Sequence, residues 1–104
     1  MASMKDRENA FESKFAHDAE MQFKADARRN KLLGLWAADL MGKDGDAAAE
    51  YAREVIKSDF EEAGDEDVYR KVSGDLGDKV DEATIRAKMV ELMVEAKNQL
   101  IEEV

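Results

Sequence analysis

The sequence predicts an all-α protein, built as a small four-helix bundle with a flexible N-terminal segment that extends the first helix. Its 104 residues contain no proline and only six glycines, so few residues interrupt a helix. Apolar residues recur at spacings of three and four, and no stretch alternates β-branched with polar residues as a strand would. A chain of this length forms one domain, with or without a tail.

The first half of the chain is dominated by residues 23–42, which hold the only tryptophan, Trp36. The apolar positions of this stretch fall on one helical face: Phe23, Ala27, Leu33, Trp36, Ala37 and Leu40. Gly42 follows at the point where a helix commonly ends on a residue with positive φ. We predict a helix over residues 21–41, with Trp36 at the centre of the bundle.

Three further helices follow, separated by short glycine-containing or acidic turns. The predicted ranges are 46–60, 66–77 and 82–101. Asp46, Asp65 and Asp81 stand where each helix needs an N-cap, and Phe60 closes the apolar face of the second helix. Because the connections are short, consecutive helices are expected to run antiparallel.

The N-terminal segment, residues 1–19, is polar apart from aromatic residues at a spacing of four. Phe11 and Phe15 continue the stripe of Ala19 and Phe23 backwards. A first helix running from Phe11 to Met41 would be about 46 Å long, which the three shorter helices cannot cover. We therefore expect residues 1–19 to be mobile in the free protein and residues 20–104 to form the bundle, with the uncovered face awaiting a partner.

No set of residues in the sequence resembles a catalytic or metal-binding site. Cysteine is absent, and the single histidine, His17, has no identifiable catalytic partners beyond the acidic residues beside it. The acidic stretches 43–46 and 64–69 lack the spacing of a calcium-binding loop and are explained as helix caps. The protein is expected not to be an enzyme.

One basic cluster interrupts an otherwise acidic chain of net charge −9: Lys24, Arg28, Arg29 and Lys31. It is either a solvated helix face that pairs with nearby carboxylates or a contact for an acidic partner or a nucleotide phosphate. The net charge disfavours binding to nucleic acid or to an anionic membrane. Neither a membrane span nor the apolar core of a signal peptide is present, so a cytoplasmic protein is expected.

Four stretches of the chain are long and unusual in composition: KFAHDAE (14–20), FKADARRNKLLGLWAA (23–38), SDFEEAGDEDVYRK (58–71) and DEATIRAKMVELM (81–93). They resemble a known family, the ζ subunit of the F-type ATP synthase of α-proteobacteria. The resemblance extends from about Arg7 to Leu100. It implies a four-helix protein that inhibits ATP hydrolysis by the soluble catalytic sector. In that family an N-terminal segment, mobile when free, becomes helical when inserted between catalytic and rotor subunits.

The resemblance also implies partners and contact residues for this chain. The inhibitory segment would be residues 1–19, and its partner-binding residues would be Phe11, Lys14, Phe15, Asp18 and Ala19. The partners would be the α, β and γ subunits, and the free protein would be a monomer held at the inner membrane only through ATP synthase. No cofactor is expected beyond weak binding of ATP or ADP. The alternative is a small acidic, nucleotide-responsive regulatory or binding module without inhibitory activity.

Overall fold

The computed structural model describes residues 19–60 and 64–103, which form four α-helices joined by short connections. The helices are α1 (Ala19–Leu40), α2 (Gly45–Ser58), α3 (Glu66–Leu76) and α4 (Glu82–Glu103), with one 3₁₀ turn (Gly77–Lys79) between α3 and α4. Every predicted helix is present, and each boundary lies within two residues of its expected position. The all-α, four-helix prediction is confirmed. The predicted mobile segment lies outside the described residues, except for Ala19.

The helix ends follow from local hydrogen bonding and from glycine at positive φ. The backbone N–H of Thr84 donates to the Asp81 carboxylate at 2.8 Å, which confirms Asp81 as the cap of α4. Gly42, which follows the end of α1, has a positive φ of 76°, as predicted. The prediction for Asp46 is wrong. The N-cap position of α2 is occupied by Asp44, because the helix begins at Gly45.

Helix α1 packs against all three other helices and organises the bundle. It approaches α2 closely at Gly34. A Cβ atom placed on Gly34 would lie 2.6 Å from the Cα of Ala52, a distance that no real Cβ contact tolerates. The absence of a side chain at this position therefore allows the two helix backbones to meet.

The main core is a single cluster of apolar side chains contributed by all four helices. Its members are Leu33, Ala37, Ala38, Ala48, Tyr51, Val55, Val68, Val72, Leu76, Ile85 and Met89. A second, smaller cluster joins Met21 and Ala25, near the start of α1, to Leu100, near the end of α4. The smaller cluster fixes the first turns of α1 onto the bundle.

Trp36 is not at the centre of the bundle, so that prediction is wrong. It is only half-buried and packs against the edge of the main core, where the Lys88 ammonium lies 5.7 Å from the centre of its ring. The physical reason is the close packing of α1 on α2. The face of α1 that meets the other helices is occupied by Leu33 and Ala37, both fully buried, which leaves the indole beside the contact.

Three other residues of the predicted apolar helix faces are exposed. The side chains of Phe23, Leu40 and Phe60 are 57%, 40% and 66% exposed, respectively. Phe60 does not close the apolar face of α2, because that helix ends two residues earlier, at Ser58. Phe23 lies on the side of α1 opposite to Met21 and Ala25, since two residues along a helix correspond to a rotation of about 200°.

Candidate functional site

The candidate site lies where the described chain begins, on the outward side of α1. Ala19 and Phe23 are one helical turn apart, so they share a face, and both are exposed. Met21 and Ala25 lie on the opposite side and are buried against Leu100. The start of α1 thus has one side held by the bundle and one apolar side left open.

The open side continues onto a second aromatic residue from another part of the chain. The rings of Phe23 and Phe60 lie with their centres 6.1 Å apart and their planes tilted by 39°. Between them opens a groove of about 260 Å³, lined by Phe23, Asp26, Ala27, Asn30, Ile56, Asp59, Phe60, Gly64 and Asp65. The apolar periodicity of α1 predicts that Phe23 shares a face with Ala19. Nothing in the sequence indicates that Phe60 lies beside Phe23.

Carboxylates form the polar rim of this groove. Burial raises the pKa of Asp26 above its ordinary value, although the charge of Arg29 partly opposes the effect. Burial likewise raises the pKa of Asp59, which accepts a hydrogen bond of 3.0 Å from the Asn30 side-chain amide. The groove therefore combines an apolar floor with a rim of negative charge that is incompletely solvated.

Arg29 lies beneath this rim and is the most deeply buried charged residue described. Its side chain is 2% exposed, and one guanidinium nitrogen lies 2.8 Å from the carboxylate of Asp65. Its Nε donates a hydrogen bond of 2.7 Å to the Asn30 side-chain oxygen. Arg29 therefore ties α1 to the start of α3. It is neither on a solvated face nor presented to a phosphate.

The other three members of the basic cluster lie on a different side of α1. Lys24 pairs with Glu20 at 3.3 Å, Arg28 donates to both carboxylate oxygens of Glu103, and Lys31 is exposed. The hydrogen bond from Arg28 also lowers the pKa of Glu103. All three basic residues line a second groove, of about 520 Å³, that includes Met21, Phe23 and Leu100.

Most of the predicted partner-binding residues lie outside the described part of the chain. Phe11, Lys14, Phe15 and Asp18 belong to this group, and only Ala19 is described. His17, which is not one of the predicted contacts, also lies outside the described residues. Within residues 19–60 and 64–103, no three histidine or acidic side chains are arranged to hold a metal ion. None of the described helices has both the length and the apolar character needed to cross a bilayer.

Comparison with known proteins identifies the family. A search of curated proteins finds no match. A protein whose structure was determined by solution NMR is 63% identical to this chain. The match covers 81% of this chain and 99% of the other protein, and the two structures superimpose with a TM-score of 0.76. The family model for ATPase inhibitor subunit zeta matches residues 1–99, from the N-terminal segment through most of α4. The chain therefore belongs to the ATPase inhibitor subunit zeta family, a family of inhibitors associated with ATP synthase.

Proposed function

We propose that this protein inhibits ATP hydrolysis by the F-type ATP synthase by inserting residues 1–19 between catalytic and rotor subunits, which blocks rotation in the hydrolytic direction. The observation that carries the proposal is the open apolar face of Ala19 and Phe23 at the start of a firmly packed helix. That face continues the spacing of Phe11 and Phe15 into the bundle.

A segment that blocks rotation must be held in a fixed direction, and the packing of α1 supports this part of the proposal. Met21 and Ala25 hold the first turns of α1 against Leu100, so a helix that continues backwards from Ala19 leaves the bundle in a set direction. Insertion orders the segment at a cost in conformational entropy, so its affinity depends on desolvating apolar anchors. We assign that role to Phe11 and Phe15, with Lys14 and Asp18 as flanking polar contacts.

The partners under this proposal are the α, β and γ subunits of the catalytic sector. The inhibitor acts by obstruction and performs no chemistry of its own. It reaches the membrane only through ATP synthase, on the cytoplasmic side. The free protein under this proposal is a monomer.

The direct test is a titration of ATP hydrolysis. The isolated catalytic sector of the parent organism is assayed at increasing concentrations of the full chain, with nucleotide and salt held constant. A saturable loss of hydrolysis is expected. Unchanged hydrolysis at every concentration reached would contradict the proposed function.

A second candidate function is contact with a nucleotide phosphate. The observation that favours it is the alignment of Lys24, Arg28 and Lys31 along one groove. Amide shifts measured by NMR during titration with ATP or ADP should then concentrate on residues 24–31, and Lys24→Ala/Lys31→Ala should remove them. Lys57→Ala/Lys79→Ala, which changes two exposed lysines elsewhere, is the matched control. Equal shifts in both double variants would exclude this groove.

A further inference from the structure

We infer that the bundle carries a second docking surface for the catalytic sector, separate from the inserted segment. The surface, named here the aromatic patch, consists of Phe23, Ala27, Ile56 and Phe60. The inference rests on the proposed function and adds to it a contact made by the folded bundle. Its occupant is an apolar side chain flanked by lysine or arginine, on the catalytic-sector surface next to the inserted segment.

The exposure of the two aromatic rings is the first support. Phe23 and Phe60 are 57% and 66% exposed, although large aromatic side chains are among those most favoured in a core. They come from different parts of the chain and lie with ring centres 6.1 Å apart, so the exposed apolar surface is continuous. Continuous exposed apolar surface of this kind is typical of interaction sites, whereas single exposed apolar residues are not.

The position of the patch identifies the partner. Phe23 follows Ala19 by one turn, which is about 6 Å along the helix axis. Ala19 is exposed on the same face and is the last residue of the proposed inhibitory segment. A partner surface that holds the segment as far as Ala19 therefore comes within one turn of Phe23. The aromatic patch continues the proposed interface without a gap.

The charge around the patch sets the chemistry of the occupant. Asp26, Asp59 and Asp65 line the same groove as the two phenylalanines, and the buried guanidinium of Arg29 is committed to Asp65. An acidic rim around an apolar floor favours an apolar side chain with a neighbouring cation and disfavours an acidic surface. Contact between the patch and the catalytic sector would thus limit how far the segment inserts.

The test compares two full-length variants by inhibition and by binding. Phe60→Ala removes half of the aromatic pair without changing any residue of α1. Val94→Ala removes an apolar side chain that is 55% exposed on α4. The concentration of Phe60→Ala needed for half-inhibition should rise at least about tenfold, equivalent to 1.4 kcal/mol of binding free energy. Val94→Ala should match the unchanged protein, and the melting midpoints of both variants should stay close to it.

A binding measurement separates this inference from the proposed function. Purified catalytic sector is immobilised, and binding of the full chain and of Phe60→Ala is measured at matched ionic strength. If the full chain binds without inhibiting and Phe60→Ala binds more weakly, the patch is supported and the insertion mechanism is wrong. If Phe60→Ala binds and inhibits like the unchanged chain, the patch is not a docking surface and insertion stands.

Two further outcomes would overturn the inference. An equal loss of inhibition in Val94→Ala would show that the effect is not specific to the patch. Concentration-dependent dimerisation of the free chain in sedimentation, abolished by Phe60→Ala, would show that the patch serves a second copy of this chain.

Discussion

The guanidinium of Arg29 lies 2.8 Å from the carboxylate of Asp65, and the two residues differ sharply in burial. Arg29 is 2% exposed, whereas the Asp65 side chain is 55% exposed. The neighbouring Arg28 makes a comparable bond to Glu103 at the bundle surface, where its side chain is 26% exposed. Two adjacent arginines thus have different roles, the first at the surface and the second inside the fold.

Arg29→Met should destabilise the protein far more than Arg28→Met. The change at Arg29 leaves the Asn30 side-chain oxygen without its donor and removes the positive charge that opposes the raised pKa values of Asp26 and Asp59. Loss of a hydrogen bond to a charged group costs about 1.5–3 kcal/mol of unfolding free energy. At roughly 4–8 °C per kcal/mol for a domain of this size, the melting midpoint should fall by at least about 6 °C.

Arg28→Met is the matched control, because exposed ion pairs contribute little to stability. Thermal unfolding followed by circular dichroism measures both variants. Equal melting midpoints would show that Arg29 does not link α1 to α3. Since Arg29 is structural, tests of nucleotide or partner binding should use Lys24 and Lys31 in its place.

Gly34→Ala and Gly74→Ala should have opposite effects on stability. A methyl group at Gly34 would meet the backbone of Ala52, so α1 and α2 must separate, at a cost of about 1–3 kcal/mol. At Gly74, in the interior of α3, the added methyl meets no atom within 4 Å. The gain in helix propensity there should be about 0.5–1 kcal/mol.

Chemical denaturation by urea measures both glycine variants. A lower midpoint for Gly34→Ala together with a higher one for Gly74→Ala is expected. A neutral Gly34→Ala would mean that α1 and α2 are not in contact at this crossing in solution.

Asp26→Asn should stabilise the protein at neutral pH and have little effect in acid. Burial raises the pKa of Asp26 in the folded state, so folding is favoured when this carboxyl is protonated. Its contribution to stability therefore declines as pH rises from the ordinary carboxyl pKa through the raised one. The stability of the asparagine variant does not decline in this way, because the asparagine side chain does not ionise.

Melting midpoints of Asp26→Asn and the unchanged protein, measured from pH 3 to pH 7 at constant ionic strength, check this sign. The two curves should converge at the acid end and separate towards neutrality. A variant that becomes less stable than the unchanged protein at pH 7 would show that attraction to Arg29 outweighs the cost of burying Asp26.

The helices and their order were predictable because periodicity, capping residues and glycine positions act locally. Asp81 caps α4 where the sequence places a cap, and Gly42 takes its positive φ two residues after the end of α1. Local patterns do not determine how closely two helices cross. The contact at Gly34 is a tertiary feature, and it is the reason that Leu33 is central while Trp36 lies at the edge.

The candidate site was predictable only in part, for the same reason. The spacing of Phe11, Phe15 and Ala19 indicates an open face that continues to Phe23. The pairing of Phe23 with Phe60 depends on where α2 ends relative to α1. The four basic residues look like one cluster in the sequence, yet consecutive helical residues point about 100° apart, and Arg29 is buried while Arg28 is not.

The proposed insertion of residues 1–19 is tested most directly by comparing inhibition with folding in one double variant. Phe11→Ala/Phe15→Ala removes both proposed anchors and leaves the described bundle unchanged in sequence. ATP hydrolysis by the isolated catalytic sector is titrated with this variant and with the unchanged chain, and the melting midpoint of each is recorded. We expect the midpoints to agree and inhibition to weaken by roughly thirtyfold or more, as loss of about 2 kcal/mol of binding free energy implies. Inhibition by the double variant at the same concentrations as the unchanged chain would contradict insertion and place the inhibitory surface on the bundle.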